Sequence, residues 1–234
     1  MISIGPKSTV ASFDVDAQYG FTPACPDELP VPEGEEIVQA LNQQAQFAAY
    51  RLGSKDSHPP HAVWVATKEN HPFMPYQGFE KNVDRYWPRH CVPGTKGFQL
   101  IKGLPHPTEY DYFVWKGIEP DMHPYGACFH DLEERLSTGV IEFLQCKQVR
   151  TIIIGGLATD YCVKKTALQL LKAGFKIFLN LSACRGLQAA STQDALNEMK
   201  EQGVMIINTA LDLKIKNEYS SVKAKPITDD FTVY

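Results

Sequence analysis

The chain has 234 residues, a formal net charge of -4, and 44% apolar and 21% charged residues. That composition excludes a disordered chain, and the length suits one large α/β domain that buries roughly 70% of its unfolded surface without disulfide staples. The acidic balance, with a pI near 6.0 and a mean hydropathy of -0.25, gives no pull toward nucleic acid or anionic membranes, and no apolar run is long enough for a membrane span. Residues 1–10 carry no secretory pattern, so a cytoplasmic setting is expected. The six cysteines, Cys25, Cys91, Cys128, Cys146, Cys162 and Cys184, form no CxxC pair and read as free thiols in a reducing compartment.

In chain order, residues 10–16 are short, apolar and end in an acid, which predicts a strand. Residues 35–51 carry Ile37, Leu41, Ala45 and Ala48 at helical spacing behind Pro32 and Gly34, which predicts a helix. Residues 54–106 are rich in Pro, His and Gly and read as long loops, which in a compact domain are usually functional. Residues 110–115 are aromatic and β-prone; residues 138–145 read as helix. The β-branched run Thr151, Ile152, Ile153, Ile154 is what a strand buried on both faces needs. Helix over 160–173, strand over 175–181, helix over 192–202 and strand over 204–208 follow, with Gly174 and Gly203 as stops. This rhythm predicts an α/β fold: a doubly wound, mostly parallel six-stranded sheet with helices on both faces. The whole chain reads as one domain with a polar tail from about residue 212.

Ligands of such sheets bind beyond the carboxyl ends of the strands. Three reactive residues fall there: Asp16, Lys116 and Cys162. A thiol in the first turn of a helix meets free N–H groups and the positive dipole end, and a lysine nearby would favour thiolate further. Asp16 could then carry the proton during attack, and N–H groups of the 157–162 turn could hold an oxyanion, which together suit acyl transfer. Taken singly, the cysteine could equally be a small buried hydrophobe, the aspartate a cap and the lysine a solvated charge. A second group, Asp56, His58, His61, His71 and His90, lies in the loop-rich stretch. Asp-x-His puts two donors on one side of an extended segment, and a carboxylate with imidazoles suits Zn, Mn or Fe; the alternative is solvated loop histidines. GGLATD matches neither a dinucleotide nor a P-loop pattern.

Between about residues 13 and 208 these blocks resemble the isochorismatase-like cysteine hydrolases, and within them the nicotinamidases (pyrazinamidases). FDVDAQYGF, PVPEG, SKDSHP, RYWPRHCVPGT, VWKG, GLATDYCV and SACRG carry the likeness, in order and at compatible spacing. The resemblance implies hydrolysis of nicotinamide to nicotinate and ammonia, as in NAD salvage, with Asp16, Lys116 and Cys162 as the triad. It implies Asp56, His58 and His90 as ligands of a divalent metal, zinc first, with manganese or iron as alternatives. It further implies a cis Leu157–Ala158 bond, an oxyanion hole from the N–H groups of Ala158 and Cys162, and a ring pocket of Phe21, Trp87, Tyr125, Ala158 and Tyr161. Self-association is expected of the class. QYGF and Ser182 depart from the usual pattern, and a further histidine position stays open between His61 and His71. Competing readings are hydrolysis of another substrate on the same fold, and a non-catalytic binding protein that kept it.

Overall fold

The computed structural model describes residues 1–216; the expected tail beyond Lys216 lies outside the described residues. Six strands form one sheet: β2 (Val10–Val15), β3 (Tyr50–Asp56), β4 (Tyr112–Lys116), β5 (Thr151–Leu157), β6 (Lys176–Arg185) and β7 (Met205–Ile207). Their order is β4-β3-β2-β5-β6-β7, and every neighbouring pair is parallel. The order reverses between β2 and β5, so the switch point falls at the carboxyl ends of those two strands. A separate two-stranded parallel sheet joins β1 (Ile2–Ile4) to β8 (Leu213–Ile215), so the start of the expected tail is paired backbone.

The isoleucine run of β5 explains the layering. Ile152 and Ile154 pack into one core with Leu144 of α2 (Val140–Cys146), Leu170 of α3 (Lys164–Lys172) and Met199 of α4 (Ala189–Gln202). Ile153 faces the opposite side, with Phe178 and Ala48. All three isoleucines are fully buried, and each such side chain is worth about 1.5–3 kcal/mol of burial. The second face is covered by α1 (Val38–Ala45) and by the long loops, whose Trp64 and Trp87 pack with Ile37 and Leu41.

The helix expected over 35–51 is shorter than its apolar spacing suggested. A 3-10 turn (Gly34–Ile37) precedes α1, and Tyr50 and Arg51 belong to β3. The reason is tertiary: β3 is hydrogen-bonded between β2 and β4, and the Arg51 guanidinium reaches the buried Asp14 carboxylate at 2.6 Å. The helix expected from residue 160 begins instead as a single π turn (Thr159–Val163) that leads into α3.

Gly156 sits at the switch point with φ 138°, its Cα packed against the backbone of Val15 so closely that a Cβ would overlap the Val15 carbonyl. Gly156→Ala is therefore expected to destabilise the fold by about 2–4 kcal/mol, read as a lowered denaturant midpoint at unchanged slope.

Candidate active site

Four strand ends converge at the switch point. Asp16 follows β2 in the left-handed region, φ 44°, which turns its carboxylate toward the end of β3. There the Ser54 hydroxyl donates to Asp16 Oδ1 at 2.7 Å, and the Asp16 N–H donates back to Ser54 Oγ at 3.3 Å. Asp56 closes β3 and is in register with Lys116, which closes β4. That pairing brings the Lys116 ammonium directly onto Asp56 Oδ1. The same nitrogen lies 3.1 Å from Asp16 Oδ2, 3.6 Å from Cys162 Sγ and 3.3 Å from the Pro124 carbonyl oxygen. One oxygen each of Asp16 and Asp56 and the Cys162 sulfur lie within 4.8 Å of one another. The three residues expected to act together, Asp16, Lys116 and Cys162, are thus in one buried cluster.

Cys162 rides on the π turn after β5, where the Leu157–Ala158 bond is cis, as the resemblance implied. Asp160 fastens this turn: its carboxylate accepts from the Leu187 and Gln188 N–H groups at 3.0 and 3.4 Å, just ahead of α4. Gln18 fastens the other side. Its amide accepts the Asp56 N–H at 2.7 Å and donates to the Asp56 carbonyl at 2.9 Å. Neither residue was singled out from the sequence, although Asp160 lies inside GLATD and Gln18 inside QYGF.

Charge decides the resting protonation. Burial pulls the Lys116 ammonium down, but the Asp16 and Asp56 carboxylates outweigh it and hold the pKa well above the ordinary lysine value. Burial lifts Asp16 to about 6, against the attraction of Lys116. Burial also presses on Asp56, yet Lys116 and His58 hold it below the ordinary carboxylate range. For Cys162 the direction runs against the expected thiolate: burial drives the thiol well above its ordinary value, Lys116 pulls it back, and Asp16 and Asp56 push it further up. Attack by such a thiol needs a base, and Asp16, lifted to about 6, is the carboxylate poised closest to neutrality.

Beside this cluster stand the imidazoles. His58 Nε2 is 3.4 Å from Asp56 Oδ1, and His90 Nε2 is 3.9 Å from Asp56 Oδ2. Their Nδ1 atoms are occupied by the Gly117 and Pro88 carbonyls at 3.0 and 2.6 Å, so each Nδ1 carries the proton and each Nε2 offers its lone pair inward. His58 Nε2 is buried with no hydrogen-bond partner. Burial and the neighbouring His58 push His90 down to about 3, leaving it neutral. A carboxylate and imidazoles whose Nε2 atoms face inward are the donor set of a divalent cation, so Asp56, His58 and His90 fit the expected metal. His61 and His71 are both exposed, and neither joins the group. The histidine that does is His123, buried beside His58 and His90.

A pocket opens onto Cys162 and Asp56. All five expected ring-pocket residues, Phe21, Trp87, Tyr125, Ala158 and Tyr161, line it, together with Leu29, Val31, Leu187, His90 and His123. Trp87 meets Tyr161 edge-on at 5.0 Å, and its indole N–H donates to the Tyr125 hydroxyl at 3.2 Å. The walls are apolar and aromatic and the floor carries the charges, a form suited to a flat heteroaromatic ligand with one polar substituent.

The chain belongs to the Isochorismatase domain family, which matches residues 14–210. Among curated relatives, the nicotinamidase of Acinetobacter baylyi is 31% identical over 202 residues, spanning 83% of this chain and 90% of its own length. The nicotinamidase of Escherichia coli is 32% identical over 189 residues, spanning 78% and 87%. Among solved structures, a nicotinamidase–pyrazinamidase of Acinetobacter baumanii superposes with a TM-score of 0.78 at 28% identity, covering 88% of this chain and 98% of that one. A pyrazinamidase of Pyrococcus horikoshii in complex with zinc superposes with a TM-score of 0.67 at 30% identity, covering 85% and 98%.

Gly117 has φ 70°, and a Cβ there would overlap the His58 ring. Gly117→Ala is expected to displace that ring and weaken divalent-metal binding about 10–100-fold, measured by competition with a chromogenic chelator.

Proposed function

We propose that this chain is a nicotinamidase: an amidohydrolase that converts nicotinamide and water to nicotinate and ammonia through a thioester on Cys162. The observation that carries the reading is the buried contact of Lys116 with Asp16, Asp56 and Cys162 at the floor of an aromatic cavity. The nicotinamidase relatives support it independently.

In this reading the pyridine ring enters between Phe21, Trp87, Tyr125 and Tyr161, with its carboxamide over the sulfur. Asp16 takes the Cys162 proton as the sulfur attacks the carboxamide carbon. The N–H groups of Ala158 and Cys162 hold the developing oxyanion. Asp16 passes its proton to the amide nitrogen, the C–N bond breaks, and ammonia leaves a thioester. Water then attacks the thioester carbon while Asp16 takes its proton; the C–S bond breaks, the thiol is restored and nicotinate departs. Lys116 stays charged throughout, positions Asp16 and offsets the negative charge that accumulates beside it. Asp56, His58 and His90 would hold a divalent cation, most simply zinc given the nitrogen-rich donors and the zinc complex of the Pyrococcus relative. When bound, such an ion would supply Lewis acidity beside the ring pocket and so help to orient the substrate. The reading takes the chain as one domain, keeps self-association as part of the proposal, and places the reaction in the cytoplasm. Among the described residues no helix is long and apolar enough to cross a membrane.

Ammonia release from nicotinamide tests the reading. Cys162→Ala is expected to lower it by at least about 1000-fold with the fold intact by circular dichroism, and dialysis against a chelator to lower it reversibly. Full ammonia release by the alanine variant would sink the proposal.

The pH profile of kcat/KM gives a second check. With Asp16 near 6, the base form exists above that pH and is lost as pH falls through it, so activity drops on the acid side of about 6. Ser54→Ala removes a hydrogen bond to the ionised carboxylate and is expected to move this acid limb upward by about 0.5–1 pH unit.

A further inference from the structure

We infer that His123 is a third imidazole ligand of the cation site, so that this chain holds its metal with Asp56, His58, His90 and His123. The inference rests on the metal reading above and deepens it. His123 is 4% exposed, and both of its ring nitrogens are buried without a hydrogen-bond partner. An orphaned buried polar group costs about 1–3 kcal/mol unless something satisfies it.

Trp87 stacks on the His123 ring at 5.5 Å and 11°, Trp64 meets it edge-on at 4.5 Å, and Tyr125 at 5.1 Å. His58 stacks on it at 5.1 Å and 18°. The ring is therefore wedged in place, and none of these neighbours hydrogen-bonds to either of its nitrogens. Ligand nitrogens of His58, His90 and His123 all lie within 4.8 Å of one another. Donors bound to one ion at about 2.1 Å stand roughly 3–4 Å apart, so small side-chain movements close the difference. The backbone is fixed as well. The His123 N–H donates to the Asn82 carbonyl at 2.8 Å, and the next residue's carbonyl accepts from Lys116 at 3.3 Å. The segment that supplies His123 is thus tied to the reacting cluster.

A carboxylate with three imidazoles is a stronger nitrogen site than a carboxylate with two. It favours zinc, cobalt and nickel over manganese and magnesium.

Zinc-edge X-ray absorption of the full-length, zinc-loaded protein counts the imidazoles directly and needs no variant. Three imidazoles per zinc are expected; two would overturn the inference. In parallel, zinc affinity is measured by chelator competition for wild type, His123→Asn, His90→Asn and the exposed control His71→Asn. His123→Asn is expected to raise the zinc Kd at least 10-fold and to narrow the preference for zinc over manganese, with His71→Asn unchanged. A His123→Asn protein that binds zinc within twofold of wild type, while His90→Asn loses it, overturns the inference and leaves the metal reading standing. A wild type that binds no zinc overturns both.

Discussion

One buried ammonium organises this molecule's functional end. Lys116 is fully inaccessible and is held by Asp16, Asp56, the Pro124 carbonyl and the Cys162 sulfur. Breaking a buried pair by removing one partner typically costs about 3–5 kcal/mol, because a charge is left without compensation. Each partner therefore constrains the others. The ends of β2, β3 and β4, the π turn after β5 and the loop carrying Pro124 must all arrive at one point for the lysine to be tolerated. The fold and the reacting geometry are specified by the same contact.

The strand order makes that convergence possible. With β2 and β5 adjacent and the chain winding outward from both, the switch point leaves a crevice that no crossover helix covers. Asp16 enters it from one side and Cys162 from the other. Gly156 lets β5 pass close to Val15, and Ser54 locks the turned Asp16 against β3. Gln18 and Asp160 then brace the two sides through hydrogen bonds to backbone groups, which fixes direction.

Much of this was legible in the sequence, for a physical reason. A polar residue directly after an apolar run marks a strand's carboxyl end, and Asp16, Lys116 and Cys162 each sit at or just past such a run. Five of the six main strands and four helices were readable from the residue pattern, as was the burial of β5 on both faces; β3 was not. What was not readable depended on distant partners. Apolar spacing continued past Ala45, yet sheet pairing and the Arg51–Asp14 contact claim Tyr50 and Arg51 for β3. The strands β1 and β8 have three residues each and gain meaning only by pairing across the chain. His123 stands in an Asp-x-His of its own, with Asp121, but outside the loop-rich stretch of residues 54–106 and with no periodicity around it. Only the packing of Trp64 and Trp87 shows that it is enclosed with His58 and His90. Histidines counted along a loop are therefore poor guides; the two that competed on spacing, His61 and His71, are both exposed.

The thiol's protonation follows from counting the same charges. Asp16 and Asp56 against Lys116 leave the cluster at net -1 before the sulfur ionises, so a thiolate would stand in a buried site against an excess of its own sign. Asp56 is the group that couples this balance to the imidazoles, because its two oxygens face Lys116 and His58 on one side and His90 on the other. A cation placed there would draw on the carboxylate that otherwise presses against the sulfur, and its charge would reverse the sign of the local field. The pull of Lys116 on Asp16 would then meet less competition. Asp56 thus contacts both Lys116 and the two imidazoles, and it ties the electrostatics around the thiol to theirs.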